Sequence, residues 1–272
     1  MIPMVASLDQ IVGATRRRVA NAKRTSDLRD LERRAEKHAP RSFRNALATR
    51  NRIGAAIIAE LKKASPSRGV IRANFQVEDL ARDLEKAGAA ALSVLTDEEF
   101  FQGSLANLQR ASARTKLPCL RKDFIVDEFQ LLDARAYGAD AVLLIVAVLS
   151  ESELIALTRN THALGLDVLC EVHDEPELCR AMDAGCNLIG VNNRDLQTFK
   201  VDPQTAFRLA KKIPKDVISV AESGLNNSSD IAQLREAGYH AFLIGESLMK
   251  ADSPGDALRI LLAEASTHVS SF

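Results

Sequence analysis

One junction recurs five times between residues 87 and 242, and it constrains the fold more than any other feature of the sequence. Each copy runs from the end of a helical stretch through a glycine into an apolar segment. The glycines of the five copies are Gly88, Gly138, Gly165, Gly185 and Gly238. A glycine just past a helix adopts, at little cost, the left-handed conformation that ends the helix. The repetition therefore indicates a chain built from repeated strand–helix units.

Eight apolar segments are predicted to be the strands of these units. They are Ala56–Glu60, Ala91–Thr96, Pro118–Lys122, Ala141–Ile145, Val168–Val172, Leu188–Asn192, Val217–Glu222 and Ala241–Gly245. The segments between them have the apolar spacing of helices that bury one face, and strands that alternate with such helices form a parallel sheet. Eight units indicate a closed (β/α)8 barrel, or TIM barrel, because a doubly wound open sheet usually has about five or six strands and often a glycine-rich dinucleotide turn.

Chain length favours one domain over two. A barrel of this class needs about 250 residues, and the chain has 272, so residues 1–272 are predicted to form a single domain. Residues 1–50 are predicted to be an N-terminal helical extension of that domain. Its residues Leu8, Ile11 and Val12 need a place to be buried, so we expect the extension to cap or border the substrate entrance. The basic clusters Arg16–Arg18 and Lys23–Arg24 could contact a nucleic-acid backbone, but nearby acids favour a solvated helix face.

The charge balance argues against polyanionic partners. The chain has 36 lysines and arginines and 36 aspartates and glutamates, so no global field recruits nucleic acid or an anionic membrane. The longest apolar run, Ala141–Leu149, is shorter than the ~20 residues of a membrane helix. Neither nucleic acid nor a membrane is predicted as a partner, and any anion site has to be local.

Cysteine and histidine spacing bears on the cellular compartment and on metals. The four cysteines have no C-x-x-C spacing, and the start Met1–Met4 lacks the basic segment of a signal peptide. We therefore predict a reducing, cytoplasmic environment. The five histidines, which include His173 and His268, form no H-E-x-x-H or similar pair, so no catalytic metal is expected. His173 is predicted to be a polar residue of the loop after a strand.

Charged residues end several of the predicted strands, at the end of the barrel where active sites of this fold form. The two-residue period of strand one places Glu60 and Lys62 on the same side as Ile58, facing the barrel interior. The other strand ends carry Lys122, Glu171, Asn192 with Arg194 two residues later, and Glu222. Each residue alone could be a salt-bridged or solvated strand end. Three carboxylates and two lysines that point inward together favour a functional site, because buried charge is costly without partners.

Small residues follow strands seven and eight, where barrels often bind phosphate. Ser223–Gly224 follow strand seven, and Gly245–Glu246–Ser247 follow strand eight. Small side chains there allow backbone N–H groups to approach phosphate oxygens, and Ser65 after strand one offers a nearby hydroxyl. Glycines also end strands in ordinary turns, so each segment alone is weak evidence.

The chain resembles the indole-3-glycerol phosphate synthase family in motifs that run in order from Ile58 to Met249. The motifs are Ile58–Ser67, Leu92–Asp97, Phe100–Ser104, Leu120–Ile125, Glu171–His173, Gly190–Leu196, Ala221–Gly224 and Leu243–Met249. They lie at most of the strand ends, so together they are far more specific than any single motif.

The resemblance implies a carbon–carbon lyase of tryptophan biosynthesis that uses neither a metal nor an organic cofactor. Its substrate would be 1-(2-carboxyphenylamino)-1-deoxyribulose 5-phosphate, and its products indole-3-glycerol phosphate, carbon dioxide and water. Lys122 would be the general acid that protonates the ribulose carbonyl oxygen, and Lys62 would steady the substrate carboxylate. Glu171 would donate or accept a proton in the loss of water, while Glu60 and Glu222 hold the lysines and the substrate hydroxyls.

The resemblance also implies the residues that bind the rest of the substrate. Asn192 and Arg194 would orient Glu171 and the substrate carboxylate. The phosphate would be bordered by Ser65, Ser223, Gly224, Gly245 and the backbone of Glu246. Phe101 and Phe124 would flank the anthranilate ring, or they belong equally well to the core.

Two other functions fit parts of the pattern. A phosphoribosylanthranilate isomerase would share the strand-eight phosphate site but uses a cysteine and an aspartate, and no cysteine ends strand one here. A non-catalytic metabolite-binding barrel would keep the phosphate loops without needing Lys62, Lys122 and Glu171 together. The enzyme of indole ring closure remains the predicted function.

Overall fold

The computed structural model describes residues 6–267, and its first three elements are helices. These are α1 (Leu8–Thr25), α2 (Leu28–Lys37) and α3 (Phe43–Asn51). Residues 1–5 of the predicted extension, and the histidine at position 268, lie outside the described residues. Ser7 caps the N-terminus of α1 through a capping box. Its side chain accepts a hydrogen bond from the backbone N–H of Gln10, and the Gln10 side chain accepts one from the backbone N–H of Ser7.

Eight parallel strands follow and close into a barrel. They are β1 (Ala56–Leu61), β2 (Ala91–Leu95), β3 (Cys119–Lys122), β4 (Ala141–Ile145), β5 (Asp167–Val172), β6 (Leu188–Asn192), β7 (Ile218–Glu222) and β8 (Ala241–Ile244). The barrel closes where β1 pairs with β8, with Ala56 opposite Ala241. The predicted (β/α)8 fold is confirmed, and each predicted strand differs from the observed one by no more than one residue at either end.

Helices connect the strands on the outside of the barrel. They are α4 (Val77–Ala87), α5 (Glu98–Phe101), α6 (Leu105–Arg114), α7 (Phe129–Ala136), α8 (Glu151–Ala163), α9 (Glu175–Asp183), α10 (Gln204–Ala210), α11 (Ser228–Glu236), α12 (Glu246–Lys250) and α13 (Pro254–Thr267). The five junction glycines all have positive φ, as predicted; Gly88, with φ of 99°, ends α4. A short hairpin, Ala64–Ser65 with Gly69–Val70, lies in the loop after β1.

The two faces of each strand belong to different parts of the core. On β1, Ile57 and Ala59 pack with the surrounding helices, whereas Ile58 belongs to the cluster that fills the barrel, with Leu143 and Leu169. Side chains alternate along a strand, so Glu60 continues the inward face of Ile58. This alternation brings charged strand ends into the barrel mouth.

The N-terminal helices lie at opposite ends of the barrel. Leu8 and Ile11 of α1 line the cavity at the C-terminal ends of the strands, so α1 borders the entrance as predicted. Helix α3 is at the other end, where the side chain of Arg44 donates to the carbonyls of Asn187 and Asp216, just before β6 and β7. The prediction that the whole extension borders the entrance is therefore wrong for α3, which closes the barrel bottom.

Candidate active site

A cluster of charged side chains occupies the centre of the barrel mouth. Lys122 Nζ lies 2.8 Å from Glu171 Oε2 and 3.3 Å from Glu222 Oε2. Beside it, Lys62 Nζ lies 2.5 Å from Glu60 Oε1. The three carboxylates and two lysines singled out in the sequence thus come from four strands and meet in one place. Each lysine is paired with a carboxylate of the cluster, which offsets much of the cost of burying these charges.

Two glycines make room for two of these carboxylates. A Cβ added at Gly245 would collide with the side chain of Glu60, and a Cβ added at Gly190 would collide with Glu222 Oε1. Any larger residue at either position would displace the carboxylate. Both glycines therefore help to position the carboxylates of Glu60 and Glu222.

Lys122 and Glu171 are both held in their charged forms. Burial lowers the pKa of Lys122, but Glu171, Glu222 and Glu60 outweigh burial and raise the pKa above its ordinary value. Burial raises the pKa of Glu171, but Lys122 and His173 outweigh burial and hold the pKa well below its usual range. The cluster is therefore a protonated lysine beside an ionised carboxylate.

Glu222 is the carboxylate that can hold a proton near neutral pH. Burial raises the pKa of Glu222 to about 7, because the negative charges of Glu171 and Glu60 add to the burial effect and offset the opposing effect of Lys122. Its Oε1 is buried and has no hydrogen-bond partner among the residues the structure describes. This oxygen occupies the space over Gly190.

Asn192 and Arg194 lie beside Glu171 at the end of β6. Asn192 Nδ2 donates to Glu171 Oε1 at 3.1 Å, and Asn192 Oδ1 accepts from the backbone N–H of Arg194 at 3.0 Å. The guanidinium of Arg194 donates to the carbonyl of Phe199 at 3.0 Å. The amide of Asn192 therefore fixes one oxygen of Glu171, while Lys122 faces the other.

An apolar cavity lies on one side of the charged cluster. Its apolar lining is provided by Leu8, Ile11, Leu95, Phe101, Phe124, Leu143, Ile145, Leu196 and Phe199. Ser65 lines this cavity as well. Phe124 is buried and also belongs to the inner core cluster, whereas Phe101 is only half-buried. The cavity thus combines an apolar lining with the charged groups of the cluster, an environment that suits an aromatic ring bearing a charged group.

A second, polar cavity opens on the other side of the same cluster. It is lined by Ser223, Gly224, Gly245, Glu246, Ser247 and Lys250, with Arg68 from the loop after β1. Ser223 and Gly224 have φ of 63° and 76°, a conformation rare for serine, and Asn193 Nδ2 donates to the Ser223 carbonyl at 3.0 Å. The Glu246 carboxylate is paired with Arg68 at 3.2 Å and Lys250 at 2.6 Å. The small residues and the cations that line this cavity suit an anion.

Comparison with known proteins identifies the family. The family model described as indole-3-glycerol phosphate synthase matches residues 8–261. The indole-3-glycerol phosphate synthase of Koribacter versatilis is 57% identical over 259 residues, which cover 95% of this chain and all of the relative. That of Burkholderia ambifaria is 47% identical over 252 residues, 92% of this chain and 97% of the relative. The chain belongs to the indole-3-glycerol phosphate synthase family.

Solved structures with low sequence identity share the barrel alone. KGPDC from Streptococcus mutans aligns with a TM-score of 0.62 at 10% identity, covering 80% of this chain and all of that one. Thiamine phosphate pyrophosphorylase from Pyrococcus furiosus aligns with a TM-score of 0.58 at 16% identity, covering 82% of this chain and all of that one. At such identities the likeness concerns the fold and not the reaction.

Indole-3-glycerol phosphate synthases are carboxy-lyases of tryptophan biosynthesis, and this chain is one of them. They convert 1-(2-carboxyphenylamino)-1-deoxyribulose 5-phosphate into indole-3-glycerol phosphate, carbon dioxide and water. Within residues 6–267, no group of three or more His, Cys, Asp or Glu side chains could hold a metal ion. No helix in that part of the chain is long and apolar enough to cross a membrane.

Arg18 of this synthase is a residue of the site region that sequence reasoning missed. Its guanidinium reaches from α1 to Asp97 at 2.6 Å and Asp123 at 3.2 Å, both buried at the barrel mouth. Arg16 pairs with Glu153, and Lys23 pairs with Asp127. The prediction of a solvated helix face was wrong for Arg18, whose partners are buried acids of the barrel loops, whereas Arg16 and Lys23 are exposed as predicted. A basic cluster on an otherwise amphipathic helix was the available signal.

Proposed function

We propose that the barrel mouth of this chain closes the indole ring, with Lys122 as the general acid. The observation that carries this proposal is the position of the Lys122 ammonium, held by Glu171 and Glu222 where an apolar cavity meets a polar, anion-suited cavity. The substrate has the matching order of parts: an aromatic ring, a carbonyl carbon and a terminal phosphate. Its reacting carbonyl would then lie beside Lys122.

In the first step, the ring carbon that bears the carboxylate attacks the ribulose carbonyl carbon. The C–C bond forms as the carbonyl electron pair moves onto oxygen, and Lys122 gives that oxygen a proton. Lys62, paired with Glu60, stabilises the substrate carboxylate until the bond to the ring breaks and carbon dioxide leaves. The bonding electrons return to the ring and restore its aromatic character.

In the second step, the hydroxyl group leaves as water and the new five-membered ring loses a proton. Glu171 is the proposed proton carrier, since it is ionised and is fixed by Asn192. Glu222, with a pKa raised to about 7 by burial, holds the substrate hydroxyls or a proton in the same space. One hydrogen of the water comes from the substrate, and the other comes from the proton that Lys122 gave.

The two cavities support the remaining contacts that we propose. Phe101 and Phe124 would flank the anthranilate ring in the apolar cavity, with Arg194 near its carboxylate. The phosphate would bind the backbone at Ser223–Gly224 and Gly245–Glu246, and Ser65 would reach it from the loop after β1. This orientation keeps the charged parts of the substrate away from the apolar lining.

We propose one catalytic unit over residues 1–272 that acts on a small phosphosugar–anthranilate molecule in the cytoplasm, without a metal, a cofactor or nucleic acid. Four free thiols, three of them buried, support a reducing compartment.

Incubation of the purified chain with the substrate, followed by indole fluorescence, tests the proposal. We expect the fluorescence to rise with one carbon dioxide released per indole formed. An isomerase would produce no indole from any precursor, and a binding barrel would retain the substrate unchanged. Substrate recovered intact from a folded preparation would end the proposal.

A further inference from the structure

His173 lies between two carboxylates in the loop between β5 and α9. Its Nδ1 is 3.0 Å from Glu177 Oε2, and its Nε2 is 3.4 Å from Glu171 Oε1. Glu177 Oε2 also accepts the backbone N–H of His173 at 2.8 Å. Glu177 is in the first turn of α9, where Asp174 caps the helix by accepting from its backbone N–H. Nδ1 is therefore hydrogen-bonded to Glu177, whereas Nε2 is buried beside the Glu171 carboxylate without a hydrogen bond to it.

This arrangement favours the protonated ring. A neutral imidazole has one N–H donor and one lone pair, so a ring that donates from Nδ1 to Glu177 would place the Nε2 lone pair beside the Glu171 carboxylate. An imidazolium donates to Glu177 and places its positive charge beside Glu171. The acids that face the ring are Glu171 from β5, Glu177 from α9 and Asp195 from the loop after β6. Burial lowers the pKa of His173, but Glu171 and Glu177 outweigh burial and raise the pKa to about 10.

We propose that His173 is a positioning residue for the ring-closing reaction, an imidazolium that keeps the Glu171 carboxylate ionised and correctly oriented beside Lys122. Glu171 Oε1 then lies between the imidazolium and the Asn192 amide, which is 3.1 Å away. The other oxygen, Oε2, accepts a hydrogen bond from Lys122. The inference rests on the role proposed above for Glu171. It adds a further cation to the site, one that acts on the substrate only through Glu171.

Glu177→Gln tests the proposal without altering any group placed in the site. Loss of the carboxylate lowers the pKa of His173 by about one to three units. The imidazolium is present below its pKa and lost as pH rises through it, so the defect should depend on pH. We expect kcat near the wild-type value at pH 6 and a loss on the order of tenfold relative to wild type at pH 9.

Glu175→Gln is the matched control. Glu175 is in the same helical turn, carries the same charge and pairs with Lys212 at 2.5 Å. It shares the interaction of Glu177 with the helix dipole, so the two variants differ in their contact with His173. We expect Glu175→Gln to keep the wild-type pH profile.

NMR of 15N-histidine-labelled enzyme measures the ring directly, with the His173 signal assigned by its absence in His173→Asn. Two protonated ring nitrogens at pH 8 are expected in the wild type. A neutral ring at pH 8, or an equal fractional loss for Glu177→Gln at every pH, would overturn the role of His173. Glu171→Gln separates the two proposals: if that variant keeps full turnover, the assignment of Glu171 is the one that fails.

Discussion

Lys122 and its two carboxylate neighbours form a site in which similar groups have different proton affinities. Glu171 is held ionised, whereas burial brings the pKa of Glu222 to about 7. Environments that separate the pKa values of neighbouring groups are typical of acid–base sites. The same three side chains can therefore donate and accept protons at one pH.

Replacing Lys122 with methionine should remove the proton donor while keeping the bulk of the side chain. We expect turnover to fall by about 10²- to 10⁴-fold, the usual contribution of a positioned acid. The melting temperature should change little, because Glu222 can take up a proton when its cation is lost. Indole fluorescence and thermal unfolding measure the two effects, with Lys215→Met, an exposed lysine, as the control. Turnover above about a tenth of wild type would remove Lys122 from the acid role.

Among individual residues, the charged side chains of the site could be predicted from the sequence, but the glycines that make space for them could not. The two-residue period of β1 was enough to predict that Glu60 and Lys62 face inward, and both line the cavities. The requirement for Gly190 and Gly245 could not be predicted, because it depends on side chains of neighbouring strands. Contacts between strands are set by register, which a single strand does not reveal.

At the scale of elements, α1 is attached to the barrel by its arginine as well as by its apolar face. Arg18 bridges the loops after β2 and β3 through Asp97 and Asp123, and Ile11 reaches into the apolar cavity. Asp97 also caps α5, the short helix that carries Phe101. The position of α1 is thereby linked to the wall of the aromatic cavity.

Arg18→Met should loosen α1 from the barrel mouth. We expect KM to rise about tenfold and the free energy of unfolding to drop by about 1–2 kcal/mol, since two buried carboxylates lose a partly exposed partner. Steady-state kinetics and denaturant unfolding provide the measurements. Arg17→Met changes an exposed neighbour on the same helix and should leave both unchanged. Identical kinetics for the two variants would show that Arg18 has no part in forming the cavity.

The loops after β7 and β8 form the other functional element. They present backbone at Ser223–Gly224 and Gly245–Glu246 together with Arg68 and Lys250. A phosphate dianion gains charge-assisted hydrogen bonds from such donors, each contributing about 1.5–3 kcal/mol.

Removal of the phosphate from a product analogue should therefore weaken inhibition by about 10²-fold or more, the equivalent of two such hydrogen bonds. Competitive inhibition constants of indole-3-glycerol phosphate and its dephosphorylated form give the comparison. Raising the salt concentration should reduce the difference, because exposed charges are screened. Equal inhibition constants would mean that the phosphate binds elsewhere or not at all.

At the scale of the whole molecule, the two ends of the barrel have different tasks. The C-terminal ends of the strands carry the reacting groups, and the N-terminal ends carry structural ion pairs. Asp140 immediately precedes β4 and is fully buried. Its carboxylate accepts hydrogen bonds from the backbone N–H and the guanidinium of Arg41 and from the backbone N–H of Cys119, and it is also paired with His38. Barrels of this fold commonly separate function and stability in this way.

Asp140→Asn should destabilise the fold without affecting the chemistry. The loss of its charge leaves the half-buried Arg41 without its carboxylate partner, so the free energy of unfolding should fall by about 3 kcal/mol. The value of kcat, measured well below the melting temperature, should match wild type. Asp216→Asn replaces an exposed acid at the same end and serves as the control. A large loss of kcat in a folded Asp140→Asn protein would show that the ends are coupled.

The barrel itself could be predicted because the sequence patterns of its strands and helix ends are local. Each strand and each helix-ending glycine is read from a few consecutive residues, and eight repetitions compensate for errors in any one. The docking of α1 and α3 could not be predicted in this way. Arg18 binds acids 79 and 105 residues away, and opposite ends of the barrel offer similar apolar surfaces to similar helices.

The two glycines beside Glu60 and Glu222 have a consequence for protein engineering. Grafting this chemistry onto another barrel by copying its acids and lysines alone would leave the carboxylates in different positions wherever the host has a side chain in place of Gly190 or Gly245, since a single methyl group there meets a carboxylate oxygen. The empty space beside these carboxylates has to be introduced together with the reactive groups. Conversely, alanine at either position should displace a carboxylate while every ionisable side chain is retained.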